Sequence, residues 1–309
     1  MSVKIVVAGT ASCYTTVRVN GFPVSYEPTS PADWARVSVS GVATHIAKVQ
    51  RGLGCDVRLC TVAGKDVAGT MIRAELEREG LLGAGVVTSE WSSAGVVLVD
   101  QNGRRMGLPY LTPVDQFAYP FGVLREQAQG ADLLVLTNAR FVRPLVAPAA
   151  GLAIPIAVDV HLIGALDDEY DRPWLERAQI VFCSHERIPD PRAWVAGMFS
   201  RYRQCEMVGI GLGSQGALLG LRDGTLIRVA AAPPVRIVNT SGAGDALFGT
   251  FLAEWLLHGD PVAAVQSAVL HAGWKIGYRL PSTVSLTAEE LAVLRKTTPP
   301  ATMVARWDH

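Results

Sequence analysis

Asn239-Thr240-Ser241-Gly242-Ala243-Gly244-Asp245 places two glycines and an ionisable carboxylate at the mouth of a segment that reads as a helix, Ala246 to Leu257. Amides at a helix mouth have no partner in their own helix and carry partial positive charge, so they attract anions. The glycines let the backbone approach a phosphate and adopt angles that a side chain forbids. Asp245 then stands where a hydroxyl meets that phosphate, which suits a base that takes a proton during phosphoryl transfer. The same turn is also an ordinary strand-to-helix connection, with Asp favoured by the helix dipole. The flanks favour the first reading: Val235 to Val238 reads as a strand entering the turn, and the segment after it is apolar enough to be a buried helix.

Outward from that turn, strands and helices alternate. Leu133 to Thr137, Ile156 to Val160, Ile180 to Cys183 and Met207 to Ile210 are candidate core strands, joining Val3 to Ala8 and Cys55 to Val62 nearer the start. Gly41 to Arg51, Val67 to Glu79, Pro144 to Gly151, Asp171 to Ala178, Pro191 to Arg203 and Pro261 to about Ile276 read as helices. Such alternation predicts an α/β fold with right-handed crossovers and a mostly parallel sheet covered on both faces. Two hairpins interrupt it, one turning at Gln101-Asn102-Gly103 and one at Asp223-Gly224. Short strands and loops fill Ala11 to Val39. Ligands of open parallel sheets bind beyond the carboxyl ends of the strands, here the loops after Ala8, Cys183, Ile210 and Val238.

With 49% hydrophobic and 18% charged residues, the chain of 309 residues has the composition of a compact, ordered protein. Lys+Arg and Asp+Glu are both 28, so no basic excess argues for nucleic acid and no charged tail for a membrane surface. Apolar runs are broken well before the ~20 residues a membrane helix needs. The five cysteines, Cys13, Cys55, Cys60, Cys183 and Cys205, include no CxxC pair, which suits reduced thiols and predicts a cytoplasmic protein.

These residues resemble the ribokinase-like (PfkB) family of carbohydrate and nucleoside kinases. The family's C-terminal signature runs DTTGAGD, against the 239–245 stretch here. Gly41 to Ala47, Leu53-Gly54 and Val62 to Gly69 are similar to its N-terminal signature, and Gly209 to Leu219 to its TLGxxGALL turn. The resemblance implies one ribokinase-like domain over 1–309, a three-layer α/β/α sandwich with a small β-sheet lid formed by about 11–39 and 89–111. It implies ATP and magnesium as cofactors, a primary alcohol of a sugar or nucleoside as substrate, and a homodimer through the lid. Asp245 matches the catalytic base and the Gly242, Ala243 and Gly244 amides match an anion hole. Gly211, Gly213 and Ser214 match the turn beside the nucleotide phosphates. Glu186 matches the glutamate of NxxE, which organises magnesium through water. Gly41 falls in the substrate-binding signature.

The departures are informative. Asn239 replaces the signature's first Asp, weakening the case for the usual monovalent-cation site, and Cys183 replaces the Asn of NxxE. Gly211 replaces the Thr of the TLG turn and Ser40 the first Gly of a Gly-Gly pair. Tyr14 stands for the substrate-gripping Asp and His45 for the substrate Asn, so a ribose clamped by Asp and Asn is disfavoured. Tyr14 is able to stack on a sugar or base ring, or to be a lid tyrosine half-buried without contact. Asn138 reaches substrate by position, although Asn at a strand end is also common turn chemistry. Arg105 either closes over the site or is an exposed hairpin arginine. Asp159 and His161 flank Val160 near the cleft and receive no role; His185 reads as solvated, Cys183 as a cleft residue, and Asp66 as an N-cap. The expected activity is ATP-dependent phosphorylation of a sugar or nucleoside. The alternative is a kinase-derived binding or regulatory protein with little turnover. An oxidoreductase has little support, because no GxGxxG series follows the first strand.

Overall fold

Successive side chains of a strand face opposite ways, and that alternation divides the core of this protein into two layers. In β1 (Lys4–Ala8), Ile5 and Val7 join one hydrophobic cluster while Val6 and Ala8 join the other. A computed structural model of the chain describes residues 3–232 and 236–307. Its strands continue as β2 (Ser12–Arg18), β3 (Ala35–Ser40), β4 (Asp56–Gly64), β5 (Val86–Ser89), β6 (Ser93–Val99) and β7 (Arg105–Tyr110). Then come β8 (Leu133–Leu136), β9 (Ile156–Leu162), β10 (Ile180–Ser184), β11 (Met207–Gly211), β12 (Ala217–Leu221), β13 (Thr225–Val229) and β14 (Thr302–Arg306).

Among the described residues the large sheet has ten strands, ordered β14-β13-β12-β11-β10-β9-β8-β1-β4-β5. From β5 to β11 every pairing is parallel, and β12, β13 and β14 extend the sheet antiparallel. Helices Val42–Gly52, Ala243–His258 and Pro261–Lys275 cover one face; Arg143–Ala150 and Pro191–Arg201 cover the other. Phe182 of β10 packs on Phe248 and Phe251 with ring centroids 5.0 and 5.1 Å apart. Its ring lies across Gly209 of β11, where a Cβ would come within 2.4 Å. The second sheet, β3-β2-β6-β7, stands apart from the first.

Three sequence-based assignments change. Arg236 to Val238 forms no strand, and Val235 lies outside the described residues. The N–H groups of Val238 and Asn239 both donate to Ile276 O, at 2.9 and 3.1 Å, so this segment runs along a helix end; β13 takes β14 as its partner instead. The helix expected over 171–178 is a single turn, Arg172–Leu175. The helix expected from Ala246 begins at Ala243, directly after Gly242 in the left-handed region. Helix Ala288–Thr297 and strand β14 have no counterpart in the sequence reading. None of the helices is long and apolar enough to cross a membrane, among the described residues.

Candidate active site

A left-handed Gly242 (φ 71°, ψ 9°) turns the chain sharply into helix 243–258, so Asp245 sits within the helix's first turn. An L side chain at residue 242 would be strained and would also press into the His45 ring, 2.9 Å from the site of its Cβ. The N–H groups of Gly242, Gly244 and Asp245 meet no acceptor among the described residues and carry the positive end of the helix dipole, whereas the Ala243 N–H, expected in the anion hole, donates to Thr240 O at 3.4 Å because the turn closes on itself there. Asn239 braces the turn from beneath. Buried at 1% exposure, it accepts from Ser241 N–H at 2.9 Å and donates through Nδ2 to Arg279 O at 3.0 Å.

Asp245 itself is half-buried. Burial, reinforced by the Asp159 carboxylate, pushes its carboxyl up to about 6, against the opposing influence of His161, Arg105 and Lys275. Asp159 and His161 are residues to which the sequence reading assigned no role. Within β9, Asp159 accepts from His161 N–H at 2.8 Å, and its Oδ2 stands 4.0 Å from where Gly244 would carry a Cβ. His161 has φ 56°, a rare angle for a residue with a side chain, and its buried Nε2 has no partner. An Asp-x-His triplet closing a core strand was the available signal.

One wall is built by the small sheet and helix 42–52. Gly41 precedes that helix at φ 107°, within 2.4 Å of Thr10 O by its Cβ position. His45 is 5% exposed, its Nε2 lies 2.9 Å from Ser40 Oγ, and its Nδ1 has no partner. Burial and then the neighbouring Lys275, Lys48 and Arg105 hold the imidazole well below its ordinary value, so it is neutral. A small cavity is lined by Tyr14, Ser40, His45, Asn239 and Ser241. Ser241 Oγ is a second buried polar atom without a partner. A polar lining with unmatched atoms can satisfy ligand hydroxyls. The Tyr14 ring lies over Gly95, and burial raises its phenol. Arg105, exposed on β7, brings its charge near Asp245, His45 and Tyr14 together. The larger cavity, between Trp34 and Arg279, is lined by none of these residues.

The other wall is the turn after β11. Gly211 ends the strand, and Gly213 and Ser214 are exposed in the short turn Gly213–Gln215. His185 is not solvated as expected: its Nδ1 is 2.9 Å from Gly211 O, and the ring packs beside Gly213. Glu186, in the adjoining turn, is exposed. Cys183 leaves the cleft altogether. It points into the opposite core layer, where burial raises its thiol strongly. Asn138 spends its amide on the protein, donating to Val160 O at 3.1 Å and lying 3.5 Å from Asp171, so it holds the end of β9. Asp66 caps helix 67–78 through Gly69 N–H at 2.7 Å, and it also accepts from Ser92 N–H and Oγ at 2.9 and 2.7 Å.

This arrangement places the Asp245 carboxylate beside amides that have no acceptor among the described residues. A family model described as pfkB family carbohydrate kinase matches residues 180–288, the span from β10 past the glycine turn. An ATP-dependent ribose-1-phosphate kinase of Halopiger xanaduensis is 26% identical over 272 residues, covering 86% of this chain and 89% of that protein. A microbiome-derived acarbose kinase superposes with TM-score 0.85 at 23% identity, over 95% of this chain and 99% of its own. Ribokinase of Arabidopsis thaliana, complexed with ribose and ATP, superposes with TM-score 0.79 at 18% identity, over 96% and 99%.

Proposed function

We propose, from the premise that this is a ribokinase-fold chain of the pfkB kinase family, that it transfers the γ-phosphoryl group of ATP to a primary hydroxyl of a sugar or nucleoside. The observation that carries the reading is the Asp245 carboxylate beside the unpaired N–H groups of Gly242 and Gly244. The acceptor oxygen attacks the γ-phosphorus, Asp245 takes the hydroxyl proton, and the bond from that phosphorus to the β–γ bridging oxygen breaks, releasing ADP. Amides fixed in advance stabilise the charge on the transferring group without reorganising. A carboxyl raised to about 6 is ionised at neutral pH and is a stronger base than an exposed Asp.

Gly211, Gly213 and Ser214 flank the phosphates, while Tyr14, Gly41 and His45 border the acceptor, with Arg105 arriving from the small sheet. The uncharged lining around His45 and Ser241 suits hydroxyl recognition. The relatives named ribose-1-phosphate kinase and acarbose kinase support a carbohydrate acceptor. Magnesium bridging nucleotide phosphates keeps most of its waters and needs only one or two carboxylates. Asp159 within β9 and Glu186 in the turn after the adjacent strand β10 fit that requirement, Glu186 through water. When bound, a magnesium ion would supply positive charge to the nucleotide phosphates.

The test is Asp245→Asn assayed for ADP release across a panel of sugars and nucleosides. Loss of about 10²- to 10⁴-fold in kcat is expected, with nucleotide-induced thermal stabilisation retained. Turnover at the wild-type rate would reject Asp245 as the base. Stabilisation of the wild-type protein by nucleotide without ADP release from any acceptor would favour the binding-protein reading.

A further inference from the structure

Behind the anion turn, a lysine lies buried without a carboxylate within ion-pair distance among the described residues. Lys275 ends helix 261–275 at 1% exposure, and its Nζ donates to Val284 O at 2.7 Å. A second buried lysine makes the contrast. Lys48 donates to Ser282 O at 3.0 Å, in the same segment, but it also pairs with Glu75 and lies 3.8 Å from Glu79. The charge of Lys48 is therefore balanced locally. The favourable electrostatic neighbour of Lys275 is Asp245. Burial lowers the Lys275 ammonium to about 8, which leaves it protonated at neutral pH.

A bound monovalent cation needs several oxygen lone pairs, and three carbonyls behind this turn already accept hydrogen bonds. Ile276 O accepts from two backbone N–H groups, Arg279 O from Asn239 Nδ2, and Val284 O from Lys275. Residue 239 offers an amide that donates, where a carboxylate would have supplied charge. The residues present thus do not fit a monovalent-cation site of the kind the resemblance implies.

We propose that Lys275 is a built-in cation, its ammonium supplying the fixed positive charge behind the anion turn so that phosphoryl transfer requires no monovalent cation. The proposal rests on the kinase reading. Lys275 touches neither substrate nor nucleotide in this scheme; it acts through the position and charge balance of the Asn239–Asp245 turn.

The experiment compares ADP formation in potassium, sodium and tetramethylammonium salts at constant ionic strength. Wild-type rates are expected to agree within about threefold, and a larger potassium activation overturns the proposal. Lys275→Ala is expected to lose about 10²-fold and to regain about tenfold or more with added ammonium or methylammonium. A merely structural lysine would give no amine rescue, so a folded, slow, unrescued variant overturns the proposal, as does a wild-type rate. If Lys275→Ala fails to fold, Lys275→Met decides the matter: it is expected to melt cooperatively yet remain slow in every salt, and a wild-type rate overturns the idea. A protein with no turnover in any salt would reject the kinase reading instead. Melting temperatures then test the cation: a wild-type value indifferent to potassium, with Lys275→Ala stabilised by potassium or ammonium, supports the proposal, and the reverse rejects it.

Discussion

Asp245 carries a conflict that the proposed base role needs: its carboxylate is held where ionisation is costly. Its folded pKa of about 6 lies above the ordinary 3.8, so between those values the folded chain binds the proton more tightly than the unfolded chain. The ionised carboxyl therefore lowers stability above about pH 6, and the cost disappears as pH falls toward 4. Asp245→Asn is expected to be more stable than wild type by about 1 kcal/mol at pH 8, discounted for partial exposure, with the gap closing near pH 4. Denaturant melts at the two pH values measure it. The same carboxyl predicts that kcat/KM is level above about pH 7 and falls about tenfold per pH unit below 6. A flat profile down to pH 5 would mean that another group takes the proton. At this scale the turn was legible, because glycines beside a carboxylate at a helix mouth declare themselves locally. Asp159 and Lys275 were not: their meaning depends on what β9 and helix 261–275 bring them against.

Between elements, the joint from the large sheet to the small one is made by few contacts with large effect. Asp66 serves two elements at once, capping helix 67–78 through Gly69 and accepting both polar hydrogens of Ser92, next to β6. Those hydrogen bonds hold its carboxyl below the usual range, although burial acts in the opposite sense. Asp66→Ala is expected to destabilise by about 1–3 kcal/mol, read as a drop in melting temperature. A change within error would show that Ser92 and Gly69 find water without loss. The cap was visible in the sequence as Asp before an apolar helix, but its bonds to Ser92 were not, because 26 residues separate them. Arg236 to Val238 misled for the converse reason: an apolar, β-branched run resembles a strand, yet Ile276 O captures its N–H groups.

Across the whole molecule, the small sheet reaches the 239–245 turn through its hairpin tip, where Gly103 packs on Ile237 and Gly103 O lies 3.5 Å from Thr240 Oγ1. Ser38 of β3 adds a 3.0 Å bond to Ser282. If this sheet is the lid, amides of 93–110 are expected to exchange more slowly by about tenfold when a non-hydrolysable ATP analogue and an acceptor are bound together. Unchanged exchange would argue that the sheet does not close. The alternation of apolar strands and helices by itself determined the doubly covered parallel sheet, since period and turn chemistry are properties of short segments. The glycine turn likewise determined that the amides at the mouth of helix 243–258 are left without helical partners. Only the tertiary structure decided the neutral His45 beneath Gly242, the Asp159 carboxylate facing Asp245, and the buried ammonium of Lys275. Each of these is set by burial and by charges from distant parts of the chain, and no local pattern encodes how deeply a group is removed from water.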